Sequence, residues 1–268
     1  VTTEVAFFGK ATAERLKAQG IAADLMASNN VLAHVPDIND FVSGVPVLLK
    51  PEGAWTIEFP HLLNLIELVQ FDTIYHEHYS YLSLLFVERL VAAHGMRVFD
   101  VEQHPTHGGS LRVFVCHKGA SHAETPAVAA IRAKEAAAGM ASGAGYDNFA
   151  PKVERVRQEL LAFLRTAKQQ GKTVAAYGAA AKGNTLLNFC GVSTDLIAYV
   201  VDKNPAKQDK LLPGSRLPVH DPARLYETKP DYIVILPWNI ADEVVAQNPG
   251  VREWGAQWVT AIPSLRLF

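Results

Sequence analysis

Two runs, Met96-Arg97-Val98-Phe99-Asp100-Val101 and Ser110-Leu111-Arg112-Val113-Phe114-Val115-Cys116-His117, decide the fold reading. Leu111, Val113 and Val115 recur at every second position, the period of a strand with one buried face. No helical stretch separates the runs, so they read as an antiparallel edge hairpin. Upstream, strands and helices alternate. Residues 11–19 are helix-like, and 23–30 form a short apolar strand that ends in polar residues. Residues 31–37 lead to a helix that includes Leu48 and Leu49, then a turn at Lys50-Pro51-Glu52-Gly53 and a strand over 55–59. Residues 83–94 read as a helix with Leu84, Leu85, Val87, Leu90 and Val91 on its apolar side and Gly95 as its stop. Strand, helix, strand, helix, strand, strand is an α/β order, the closing half of a doubly wound sheet. On pattern alone, any α/β domain with a hairpin edge fits equally well.

A second α/β segment follows. Residues 125–140 are Ala-rich and helical, and 141–145 read as a linker or loop. Pro151 opens a long amphipathic helix to Gln170, with Val153, Val156, Leu160, Leu161 and Leu164 on one face. Strands are expected at 173–177, 196–201 and 231–236, in βαβ order. The expected division is a first domain over residues 1–120 and a Rossmann-like second domain over 121–268. The turn Gly178-Ala179-Ala180-Ala181-Lys182-Gly183-Asn184-Thr185 joins a buried strand to a helix, where backbone N–H groups suit a phosphate. Its spacing is neither G-x-G-x-x-G nor a P-loop, although Asp202 lies near the distance of a ribose-binding acid. A dinucleotide site, another phosphate site and a purely structural turn all remain open on this pattern.

Composition narrows the classes. The 268 residues are 49% hydrophobic and 19% charged, ordinary for a globular protein, and the length suits two cores. A net charge of −2 gives no electrostatic case for nucleic acid or an anionic membrane. The two cysteines, Cys116 and Cys190, fit a reducing compartment, so a cytoplasmic location is expected. No apolar run is long enough for a transmembrane helix and no signal peptide opens the chain, while the first residues read as the middle of a domain.

The densest chemistry lies in Phe71-Asp72-Thr73-Ile74-Tyr75-His76-Glu77-His78-Tyr79-Ser80-Tyr81. Two imidazoles, carboxylates and three phenols in one segment suit proton transfer near neutral pH. In an extended strand Tyr75 and His78 face opposite sides, so a turn or irregular loop is expected if they serve one pocket. The spacing is not H-E-x-x-H on a helix and no cysteine is near, so no metal site is expected. His34 has a plainer reading as a cap of the next helix, and His107-Gly108-Gly109-Ser110 as a hairpin turn.

Four motifs in order resemble the sugar C-methyltransferase family: Asn29-Asn30-Val31-Leu32-Ala33-His34-Val35-Pro36-Asp37, Tyr75-His76-Glu77-His78, Thr106-His107-Gly108-Gly109-Ser110-Leu111-Arg112 and Tyr177-Gly178-Ala179-Ala180-Ala181-Lys182-Gly183-Asn184. The resemblance implies a small N-terminal zinc domain, a central class I S-adenosylmethionine (SAM) domain and a C-terminal Rossmann-like domain that helps hold a nucleotide sugar. The zinc cysteines, the first strand and the glycine-rich SAM loop are not in this sequence, which is expected to begin inside the SAM domain. Zinc is therefore expected only in the missing part.

The reaction implied is methylation of a sugar carbon next to a ketone, through an enolate. The resemblance makes His78 the base, with Tyr75 and His34 stabilising the enolate or relaying the proton, and Glu77 orienting a histidine. It places SAM against Asn29 and Asn30. Asp72, His107, Ser110, Arg112, Gly178, Lys182 and Asn184 are the implied substrate contacts. Two other readings stay open: an NAD-dependent nucleotide-sugar oxidoreductase, and a non-catalytic nucleotide-sugar binding module. A small-molecule nucleotide sugar is the expected partner, with no nucleic acid and no membrane.

Overall fold

A computed structural model describes residues 2–268. The chain forms two compact units, Val1–Leu65 with His76–Asp147, and Ile66–Tyr75 with Asn148–Phe268. Residues 121–147, expected in the second domain, thus group with the first, and a short early segment groups with the second.

The first unit contains α1 (Lys10–Ala18), β1 (Ala23–Asn29), α2 (Ile38–Leu48), β2 (Leu49–Pro60), the start of α3 (Leu62–Glu67), α4 (Leu84–Ala93), β3 (Met96–His104), β4 (Ser110–His117) and α5 (Pro126–Ala137). Its sheet has the order β1-β2-β4-β3. β1 and β2 are parallel, and β4 runs antiparallel to both β2 and β3. The returning strand is inserted between its neighbours, leaving β3 at the edge. Its alternation is the reason: Leu111, Val113 and Val115 are fully buried and lie opposite Phe59, Ile57 and Trp55, also fully buried. Ser83 caps α4 by accepting from the Phe86 amide at 3.1 Å, and Gly95 ends it with φ of 74°.

The turn expected at residues 50–53 lies inside β2. Ala23 pairs with Leu49 and Leu25 with Ala54, so those residues form an extended bulge in the strand.

The second unit contains α6 (Phe149–Gln169), β5 (Val174–Tyr177), α7 (Ala181–Cys190), β6 (Val200–Val201), β7 (Val219–His220), α8 (Ala223–Thr228), β8 (Tyr232–Ile235), α9 (Ala241–Gln247), β9 (Gln257–Thr260) and β10 (Arg266–Leu267). The sheet order is β10-β9-β8-β5-β6-β7, parallel except for β10. Central β5 is buried on both faces, as parallel strands covered by helices are. Val153, Val156, Leu160, Leu161 and Leu164 of α6 are buried along the stripe its sequence period defines. The strand expected over 196–201 shortens to β6 because residues 194–196 turn.

Candidate functional site

In the first unit the carboxyl ends of β1 and β2 point the same way, the side on which open α/β sheets place ligands. At the tip of β1, Asn29 is exposed and Asn30 takes a left-handed φ of 54°. The Asn30 amide donates to the Glu58 carbonyl at 2.7 Å, so the chain turns away from the sheet while still tethered to β2. A 3-10 turn over Leu32–His34 follows. Its Leu32 and Ala33 are buried and His34 is exposed, so burial of the apolar pair projects the imidazole outward.

Residues 76–77 turn and 78–80 continue without regular secondary structure, the irregular loop expected for this segment. It is stitched to the His34 turn by backbone bonds: the Tyr79 and Ser80 amides donate to the Ala33 carbonyl at 2.8 and 3.2 Å. The His34 and His78 rings lie with centroids 4.8 Å apart and planes tilted by 57°, and Tyr81 meets His78 edge-on at 6.0 Å. His34 Nδ1 lies 2.9 Å from the Glu77 carbonyl oxygen. A carbonyl only accepts, so Nδ1 donates and Nε2 of the neutral ring keeps its lone pair. The carbonyl of Glu77 thus orients His34, where its carboxylate was expected to orient a histidine. The plainer reading of His34 as a cap is displaced too: Asp37 caps α2, accepting from the Asp40 amide at 2.9 Å.

The neighbouring strand tips carry the third motif. His107 is exposed with φ of 56°, in the turn between β3 and β4. Ser110 is buried and its hydroxyl donates to the Thr106 carbonyl at 3.1 Å, which ties it to the turn. Arg112 lies opposite Glu58 across the ladder and donates to Glu58 Oε2 from both Nη2, at 2.7 Å, and Nε, at 3.2 Å. Nη1 also reaches Glu102 at 3.4 Å. Burial works to raise the Glu58 carboxyl, but the Arg112 and Thr106 bonds outweigh it and hold the group below its ordinary range. The guanidinium expected on phosphate is engaged in this ion pair.

The remaining expected residues belong to the second unit. Asp72 is fully buried and accepts from Trp238 Nε1 at 2.8 Å. Burial pushes its carboxyl up to about 6, against the Trp238 bond and the Lys182 charge. Lys182 lies 4.8 Å from the Trp238 ring centroid and donates to Asn239 Oδ1 at 2.7 Å. Its ammonium is pulled down by burial and supported by Asp72. Asn184 Oδ1 is buried without a hydrogen-bond partner among the described residues. Tyr75 is half-buried just past the 3-10 turn Phe71–Thr73. Trp238 and Asn239, which the sequence reading did not single out, also line a cavity of about 580 Å³ with Thr260, Arg266 and Phe268, beyond the carboxyl ends of β8 and β9.

The small residues of the Gly178 turn have a packing cause. Gly178 has φ of 91°, and a Cβ there would lie 2.5 Å from Pro237 Cδ; at Gly183 one would lie 2.8 Å from Leu236 Cβ. Asp202 accepts from the Ala179 amide at 2.7 Å and from the Asn204 amide at 2.8 Å. The acid considered for a ribose thus ties its own loop together. Among the described residues no group of three or more His, Cys, Asp or Glu side chains is placed to hold a metal, and no helix is long and apolar enough to cross a membrane.

One further pair escaped the sequence reading. His61 and Glu135 are both buried, with Nε2 2.8 Å from Oε1. They lie on different elements, so no local spacing announces them.

The two units are both Rossmann-like α/β folds, and comparison with known proteins supplies the family. The family described as the C-methyltransferase C-terminal domain matches residues 105–263, and the chain belongs to it. The whole chain is 39% identical over 267 residues to C-methyltransferase NovU of Streptomyces niveus, and spans 64% of that protein's length. Among solved structures it is similar to an O-methyltransferase family protein from Burkholderia thailandensis, at 17% identity and a TM-score of 0.32, over 44% of this chain and 36% of that one.

Proposed function

We propose that this protein is part of a SAM-dependent C-methyltransferase acting on a keto-deoxysugar nucleotide, and that the His34–His78 pair takes the proton from the carbon next to the ketone. Membership of the family and the similarity to NovU support C-methylation. The observation that carries the site assignment is the imidazole pair itself: two rings 4.8 Å apart beyond the carboxyl end of β1, one held through Nδ1 by a backbone carbonyl so that Nε2 of its neutral form is left as the acceptor.

Carbon methylation needs an electron-rich carbon. Removing the proton beside a ketone leaves an enolate, and neighbouring donors lower the barrier by stabilising its oxygen. His78 is the proposed base, with His34 beside it to relay the proton, and Tyr75 the proposed donor to the oxygen. Asn29 and Asn30 fit the amino-acid end of SAM, because their amides can both donate to a carboxylate and accept from an ammonium. SAM supplies the electrophilic methyl group when bound. Asp72, Lys182 and Asn184 are the proposed substrate contacts of the second unit. The Asp202 and Ser110 bonds favour structural roles for those residues.

Solvent exchange tests the assignment without requiring methyl transfer. In D₂O, the protein is expected to wash deuterium into the carbon beside the ketone of the nucleotide sugar. His78→Ala is expected to slow this about 10²–10⁴-fold. Exchange undiminished in both His78→Ala and His34→Ala removes the pair from the mechanism.

A further inference from the structure

We infer that the buried His61–Glu135 pair is a positioning element for the histidine site, an inference that rests on the function proposed above. His61 is fixed to the turn at 106–109 and to the end of the 76–82 segment, and Glu135 to the start of α4. His61 follows the last residue of β2. Its amide donates to the Gly109 carbonyl at 3.0 Å, which holds the 106–109 turn. It also pairs with Leu82 in a parallel bridge, and the Leu62 amide donates to the Leu82 carbonyl at 2.9 Å, which holds the end of the 76–82 segment.

The side chain extends the same hold. Glu135, from α5, accepts from His61 Nε2 and also from the Leu84 and Leu85 amides, at 2.7 and 2.9 Å. Those amides open α4, whose own first turn has no acidic residue. Glu135 therefore supplies from another helix the negative charge that a helix N-terminus favours. Burial works to raise its carboxyl, but the His61, Leu85 and Leu84 donors outweigh it and hold the group below its ordinary range. The carboxylate only accepts, so the proton of the shared bond sits on His61 Nε2.

Stability alone is a poor account of this arrangement. Ser83 already caps α4, and an apolar pair filling the same space commonly equals a buried polar one in stability. What the pair adds is location: it joins the end of β2, both loops and the start of α4 at one point.

The test is amide hydrogen exchange and imidazole ¹⁵N spectroscopy on this chain, with Glu135→Gln, His61→Leu and His61→Gln. The expected result for Glu135→Gln and His61→Leu is exchange about ten- to a hundredfold faster at the Tyr79, Ser80 and Leu84 amides, with Ile57 and Val113 in the sheet unchanged. The His34 ring is also expected to lose its single Nδ1–H signature and become a tautomer mixture. His61→Gln, which keeps an N–H donor, is expected to preserve both. Faster exchange at Leu84 alone would overturn the inference and leave a helix cap; a uniform rise at all amides would reduce the pair to global stability. Should His61→Leu fail to fold, Glu135→Gln decides by the same criteria. No readout uses methyl transfer, so failure here and failure of the proposed reaction are separately visible.

Discussion

At the scale of single residues, the site depends on which atom orients which ring. The Glu77 carbonyl, not its carboxylate, holds His34. Glu77→Gln is therefore expected to leave the His34 ring in its Nδ1–H form by ¹⁵N spectroscopy, and a shift to the other tautomer would show that the carboxylate matters. Asp72 gives a prediction in pH. Its folded carboxyl sits at about 6 against an ordinary 3.8, so the folded state binds its proton more tightly than the unfolded chain does. Above pH 6 both states are ionised and the burial cost is present in full, on the order of 3 kcal/mol. As pH falls from about 6 toward 4 the folded state takes up the proton first and stability is gained. In urea unfolding, Asp72→Asn is expected to remove this part of the pH slope. Equal slopes in the two proteins would contradict the assignment.

At the scale of elements, the ladder between β2 and β4 aligns Glu58 with Arg112, and truncating one partner strands the other. Arg112→Met is expected to destabilise the first unit by about 2–3 kcal/mol, with the loss largely relieved in the double variant with Glu58→Gln. Gly178→Ala is expected to cost the second unit about 2 kcal/mol or more in thermal unfolding, because the left-handed φ and the Pro237 ring both oppose a methyl group. Much of this level was legible in the sequence. The Ser83 cap and Gly95 stop bound α4, two-residue alternation delimits β4, and the α6 stripe follows its helical period. These are local signals. Residues 50–53 escaped because turn-forming residues also suit a bulge, which only the register with β1 reveals. Glu58–Arg112 and His61–Glu135 escaped because each pair joins residues far apart in sequence. Ser110 and Arg112 looked like ligand groups because sequence gives a side chain's chemistry without showing which intramolecular partner has already taken it.

At the scale of the whole molecule, each unit gathers polar side chains at the carboxyl ends of its parallel strands. The first has Asn29, Asn30, His34 and Glu58; the second has Lys182, Trp238 and Asn239, with Asp72 bonded to Trp238. The chain belongs to the C-methyltransferase C-terminal domain family, and the proposed reaction assigns proton transfer to His34 and His78 of the first unit. The most direct test is NMR of the product formed from a keto-deoxysugar nucleotide and SAM carrying a ¹³C-labelled methyl group. A new carbon-bound methyl beside the ketone, strongly reduced in His78→Ala, is the predicted result. A label found on a hydroxyl oxygen, or no transfer by folded protein that binds both compounds, would contradict it.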